Sequence, residues 1–126
     1  MPTTGPTFGA FLKHMREEKN IKLRELAREL GISAPYLIDV ERDRRAPLVE
    51  ERLVDLVKIL RLTPQEAEEM YDIIGKQKKL LPLDLNPYVN ESPFITSALR
   101  IARDLEADEQ DWQRFIDDLK QRKNRE

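Results

Sequence analysis

The sequence predicts an all-α protein. Apolar residues recur at i, i+3, i+4 and i+7 along most of the chain, apolar–polar alternation never persists beyond a few positions, and helix-capping residues punctuate the apolar stretches. With 126 residues, the chain has material for one domain and a short appended element.

Each element follows from its own residues. Phe8, Phe11, Leu12 and Met15 mark the apolar face of a first helix, and Leu23, Leu26, Ala27 and Leu30 that of a second. Gly31 ends the second helix, and only Ile32 separates it from Ser33, a good N-cap for a third helix that tolerates Pro35 in its first turn. After Pro47, the residues Val49, Leu53, Leu56, Val57 and Leu60 mark a fourth helix. Thr63-Pro64-Gln65-Glu66 matches a capping box opening a fifth, with Ala67, Met70, Tyr71 and Ile74 inward.

From Lys76 to Pro93 a basic cluster is followed by Pro82, Pro87 and Pro93, which no continuous helix accommodates, so an irregular linker is expected. Ser92-Pro93 starts a sixth helix with Ala98, Ile101, Ala102 and Leu105 inward. Asp108 caps a seventh helix carrying Trp112, Phe115, Ile116 and Leu119, and the tail from Gln121 is expected to fray. The expected organisation is a domain over 1–79, a Pro-containing linker over 80–92, and a helical hairpin with its tail over 93–126.

Composition excludes several classes of function. No apolar run approaches the roughly 18 residues a bilayer span needs, and the N-terminus lacks a basic region followed by an apolar core, so a soluble cytoplasmic protein is expected. With no Cys and one His, neither a disulfide framework nor a structural metal site is expected, and no cofactor is implied. The pairs Glu17-Glu18, Glu50-Glu51 and Glu68-Glu69 are helix neighbours pointing about 100° apart, which makes no acid/base dyad. Ser33, Ser92 and Ser97 have no His partner in pattern, and His14 reads as a surface side chain, so no catalytic residue is expected.

Net charge is −2, and residues 1–79 hold 15 basic and 14 acidic side chains against 7 and 10 in the remainder. Bulk charge therefore does not advertise a polyanionic partner; such a reading has to rest on where individual arginines sit.

Their placement is informative. Leu26-Ala27-Arg28-Glu29-Leu30-Gly31-Ile32-Ser33, then Tyr36-Leu37, Val40-Glu41-Arg42 and Pro47, closely resembles the Cro/C1-type (XRE) helix-turn-helix family over about residues 8–75. Each residue type has a physical reason: Ala27 lets two helices cross closely, Gly31 allows a left-handed backbone, and Leu37 with Val40 bury the inner face of the third helix. The resemblance implies a five-helix lambda-repressor-like DNA-binding domain, here followed by a C-terminal helical hairpin. It further implies a transcriptional regulator, expected to be a repressor, that inserts the helix starting at Ser33 into the major groove as a homodimer.

Under that resemblance the expected DNA-contacting residues are Lys22, Ser33, Ala34, Pro35, Tyr36, Ile38, Asp39, Arg42, Arg44 and Arg45. Pro35, Ile38 and Asp39 are expected against base edges, with Ile38 on a thymine methyl and Asp39 accepting from cytosine N4. Ser33, Tyr36, Arg42, Arg44 and Arg45 are expected on phosphates, and the Lys22 ammonium is placed to join them. Arg16 and Glu41 are expected to form a partly buried ion pair orienting the third helix.

Tyr71, Trp112, Phe115, Ile116 and Leu119 are the expected dimer or partner contacts. Trp112 could equally pack within its own chain. A second class of function also fits: an antitoxin-type or partner-paired regulator whose C-terminal helices hold another protein. A third is a protein-interaction module that no longer binds an operator.

Overall fold

A computed structural model describes residues 6–124; Arg125 and Glu126, the end of the expected tail, lie outside the described residues. Every regular element among them is a helix: α1 (Phe8–Glu18), α2 (Leu23–Leu30), α3 (Ala34–Glu41), α4 (Glu50–Ile59), α5 (Pro64–Lys78), α6 (Asn86–Asn90), α7 (Pro93–Asp104) and α8 (Glu109–Asn124). The chain divides into two units, Met1–Asn86 and Pro87–Glu126.

In the first unit, helices α1 to α5 enclose a single core. Phe8, Phe11, Leu12 and Met15 of α1 meet Leu26, Ala27 and Leu30 of α2, Leu37 and Val40 of α3, Leu53 and Leu56 of α4, and Met70, Ile73 and Ile74 of α5. Burying each of these side chains other than Ala27 is worth roughly 1.5–3 kcal/mol of transfer free energy. The sequence places nearly all of these correctly, because helical spacing fixes which positions share a face.

Local punctuation behaves as the residue chemistry dictates. Gly31 closes α2 at φ 73°, the left-handed conformation, while the amide of Ile32 donates back to the Ala27 carbonyl at 3.0 Å. Two residues later the Ser33 hydroxyl accepts the Tyr36 amide at 3.2 Å, opening α3 with Pro35 in its first turn. Thr63 and Glu66 form the reciprocal capping box of α5: the Glu66 amide donates to Thr63 Oγ1 at 3.1 Å, and the Thr63 amide to Glu66 Oε1 at 2.9 Å.

Several expectations need correction. Val49 does not face the core; it is the extended residue preceding α4, 60 % exposed, and Leu48 is buried in its place. Helix α5 continues through the basic cluster to Lys78, because no proline intervenes before Pro82, and it closes on Lys79 at φ 55°. The segment after it is not wholly irregular: the Leu80 amide donates to the Gly75 carbonyl at 2.8 Å, Leu83 packs against the core, and Asn86–Asn90 is helical with Pro87 in the first turn, where it removes no intrahelical bond. The region expected to fray from Gln121 is helical as far as Asn124.

The second unit carries α7 and α8, joined through Glu106 at φ 57° with the Ala107 amide donating to the Ala102 carbonyl at 2.8 Å. Ser92 caps α7 through the Phe94 amide at 3.2 Å. Asp108 and Asp111 exchange amide-to-carboxylate hydrogen bonds at 2.9 and 3.0 Å at the start of α8. Neither α7 nor α8 contains a buried residue. Ile101 and Leu105, expected inward, are exposed, Leu105 to 78 %.

Candidate nucleic-acid interface

The outward face of α3 owes its position to how the inward face is held. Leu37 and Val40 are fully buried, which fixes the rotation of the helix about its axis. Glu41, 8 % exposed, is the only buried charged residue among the described residues, and it is paired. Arg16 of α1 donates from Nε to Glu41 Oε2 at 2.7 Å and from Nη2 to Oε1 at 3.1 Å, while its Nη1 donates to the Ile21 carbonyl at 3.1 Å. The hydrogen bonds to Glu41 push the Arg16 guanidinium further above its already high pKa, so the cation persists wherever the fold does. A planar fork engaging both carboxylate oxygens fixes direction as well as distance, which a lysine could not do.

Tyr36, half-buried and packed against the core, Asp39 of α3, and Arg44 and Arg45 of the following loop form one connected group. Asp39 Oδ2 lies 3.6 Å from Arg45 Nε, and Oδ1 lies 3.9 Å from Arg44 Nη1. The Arg45 guanidinium sits 4.7 Å from the centroid of the Tyr36 ring, a cation–π arrangement. Both arginine side chains remain more than half exposed, at 64 % for Arg44 and 54 % for Arg45. Arg42, the residue that closes α3, is exposed.

The remaining candidates spread along α2 and α3. Lys22 precedes α2, exposed and making no side-chain cap. Ala34 is half-buried against the core, Pro35 is exposed, and Ser33 spends its hydroxyl on the cap. Ile38 is half-buried and borders a small hollow with Lys13, Arg16, Leu23, Glu41 and Arg42. Tyr71 is half-buried against the core of its own unit, where burial is the main cause raising its phenol pKa, with Asp84 and Glu50 adding to it. Trp112, Phe115, Ile116 and Leu119 remain exposed, the Trp112 and Phe115 rings meeting edge to face at 6.1 Å.

Three positioning residues, Asp43, Gln77 and Arg52, escape a reading of the sequence alone. The first three amides of α1, which have no partner within the helix, are satisfied from three different places: Phe8 donates to Gln77 Oε1 at 2.7 Å, Gly9 to Asp43 Oδ1 at 2.9 Å, and Ala10 to Thr7 Oγ1 at 3.1 Å. The Thr7 hydroxyl also donates to Asp43 Oδ2 at 2.6 Å. Asp43, at φ 58°, thereby ties the loop carrying Arg44 and Arg45 to the start of α1. Arg52 of α4 donates to the Leu30 carbonyl at the end of α2. Only the opposite charge of the Asp43 carboxylate and a helix N-terminus hints at one of these in sequence.

Among the described residues no His, Asp or Glu cluster could hold a metal ion, and no helix is long and apolar enough to cross a membrane.

Comparison with known proteins identifies the family of the first unit. A family model described as a helix-turn-helix domain matches residues 7–70. An uncharacterized HTH-type transcriptional regulator of Mycobacterium tuberculosis is 38 % identical over 63 residues, covering 50 % of this chain and 42 % of that protein. The ImmF control region 10 kDa protein of Bacillus phage phi105 is 44 % identical over 43 residues, 34 % of this chain and 48 % of its own. The HTH-type transcriptional regulator DdrOP3 of Deinococcus deserti is 33 % identical over 66 residues, 52 % of this chain and 50 % of its own. The chain thus spans about half the length of the curated relatives it matches. A chain of the solved SinR protein/SinI protein complex is similar at 22 % identity and a TM-score of 0.47, over 94 % of this chain and 99 % of that one. With the family model covering α1 to α4 and the start of α5, and with the Ala27, Gly31, Ser33 and Glu41 signature in place, this chain belongs to the helix-turn-helix domain family, of the Cro/C1 type.

Proposed function

We propose that the protein is a sequence-specific DNA-binding transcriptional regulator that inserts α3 into the major groove and acts as a homodimer. The observation that carries this reading is the polarity of α3: Leu37 and Val40 are spent on the core and Glu41 on Arg16, while Pro35 and Arg42 are exposed and Asp39 is paired with the exposed Arg44 and Arg45 of the following loop. Arg42, Arg44, Arg45 and Lys22 are the phosphate contacts in this reading, and they set affinity and its salt dependence. The Ser33 cap and the Tyr36 side chain lie at the helix end that meets the backbone, and Pro35, Ile38 and Asp39 face base edges.

Asp39 begins balanced by Arg44 and Arg45. Phosphates compete for those guanidinium groups, and their departure leaves the carboxylate free to accept from cytosine N4. Two copies on half-sites about 34 Å apart would read a palindrome, and repression follows where that palindrome overlaps a promoter.

Selection of bound sequences from a random DNA library tests the reading. A palindromic consensus supports it; recovery of no preferred sequence overturns it. The uncovered apolar faces of α7 and α8 favour a second reading, in which they hold a separate protein. A stoichiometric complex copurifying with the chain and retaining DNA affinity would support that one.

A further inference from the structure

The second unit lacks what normally holds two helices in place. No residue of α7 or α8 is buried, and Trp112, Phe115, Ile116 and Leu119 leave an apolar stripe along α8. At 100° per residue these four positions span an arc of about 100°, the width of a helix–helix contact face. A stripe of this kind is normally covered by a partner.

The charges of α8 indicate which partner. Its start is acidic, with Asp108 just before the helix and Glu109 and Asp111 in its first turn, and its last turns are basic, with Lys120, Arg122 and Lys123. The stripe is centred between Phe115 and Ile116, and the two charge clusters lie at equal distances on either side. Glu109 and Lys120 are 11 residues apart, about three turns, and so lie on the same flank of the stripe. Asp111 and Arg122 have the same spacing and occupy the other flank.

Resting on the homodimer reading above, we propose that the occupant is α8 of a second copy, packed antiparallel, with the two-fold axis passing between the levels of Phe115 and Ile116. In such a pair each flank meets the same flank of its partner running the opposite way. Glu109 then faces Lys120 of the other copy and Asp111 faces Arg122, each pairing occurring twice. Trp112 meets Leu119 of the other copy, and Phe115 meets Ile116. A parallel pair would instead set acidic end against acidic end and basic against basic, so the charge order selects the antiparallel arrangement. The edge-to-face contact of Trp112 with Phe115 holds the centre of the stripe in one shape before association.

The test is sedimentation of the full chain across the nanomolar to micromolar range, with far-UV circular dichroism confirming helix content in every variant. Wild type is expected to dimerise and Phe115→Asp to remain monomeric. Glu109→Lys alone, or Lys120→Glu alone, turns two attractions into repulsions and is expected to weaken the dimer about tenfold. The combined Glu109→Lys/Lys120→Glu variant is expected to recover wild-type affinity. Both single changes oppose the helix dipole, so an effect through helix stability alone would make the double variant worse than either single one.

A wild-type chain that stays monomeric overturns the homodimer reading and this proposal together. A dimer insensitive to Phe115→Asp leaves the homodimer standing and removes α8 as its interface. Failure of the double variant to recover, with both singles weakened, overturns the antiparallel pairing.

Discussion

The Gly9 amide donates to Asp43 Oδ1 at 2.9 Å, joining the start of α1 to the loop after α3. The approach is close because Gly9 has no side chain. A Cβ built there would lie 2.5 Å from the Glu41 carbonyl oxygen and 2.6 Å from both the Val40 carbonyl oxygen and Asp43 Oδ1. Two of these three atoms belong to backbone and cannot swing aside. Gly9→Ala is therefore expected to destabilise the first unit by about 2–4 kcal/mol, read as a lowered urea midpoint at unchanged slope. A loss below about 0.5 kcal/mol would show that α1 can retreat from α3 without cost.

The Arg16–Glu41 pair makes a different prediction. Its side chains are 13 % and 5 % exposed, so removing one partner strands a charge that water reaches poorly. Glu41→Gln or Arg16→Met alone is expected to cost about 2–3 kcal/mol, whereas Arg16→Met combined with Glu41→Leu should fall within about 1 kcal/mol of wild type. The double-mutant cycle from denaturant unfolding measures the coupling directly. Additive single losses would mean that the two groups act independently.

Arg44 and Arg45 are exposed, and their expected contribution lies in binding rather than folding. Replacing either with Ala should leave the unfolding midpoint within about 0.5 kcal/mol of wild type. Each should also reduce the slope of log affinity against log salt by about one. Equal weakening on specific and random duplexes would mark a phosphate contact; selective weakening on one base pair would move that arginine to the groove floor.

Asp39→Ala separates base reading from positioning. If the carboxylate accepts from cytosine, the variant loses discrimination at one symmetric pair of operator positions by about 1–3 kcal/mol, measured by competition titration with substituted duplexes. An unchanged base preference with altered overall affinity would show instead that Asp39 acts only through Arg44 and Arg45.

Acid should loosen the junction of α1 with α5. The Thr63 amide, followed by the Lys19 ammonium at 3.2 Å, holds the Glu66 carboxyl below the ordinary glutamate range. A depressed folded pKa favours the native state above the unfolded value, and that contribution disappears as pH falls through the folded value. Glu66→Gln should therefore flatten the acid limb of a stability–pH profile while leaving the region above the glutamate range nearly parallel to wild type. An unchanged acid limb would remove Glu66 from the acid response.

The features legible in the chain are those that local chemistry fixes. The Gly31 turn, the Ser33 cap, the Thr63–Glu66 box and the apolar faces of α1 to α3 each depend on residues within a few positions of one another. The misreadings also have local causes. Leu48 and Val49 are adjacent and equally apolar, and the extended backbone before α4 turns one inward and the other out. Helical spacing marked the stripes of α7 and α8, but spacing does not say whether anything lies against them.

By itself, the sequence determined the all-helical class, the two-helix motif with its tight turn and the identity of most core residues, because periodicity and capping act over one or two turns. Tertiary structure alone decided that Asp43 and Gln77 close the N-terminus of α1, that Arg52 reaches the end of α2, and that Asp39 stands between two arginines. Such partners lie tens of residues apart or across a loop, and only packing of the core sets the distance between groups that no local rule relates.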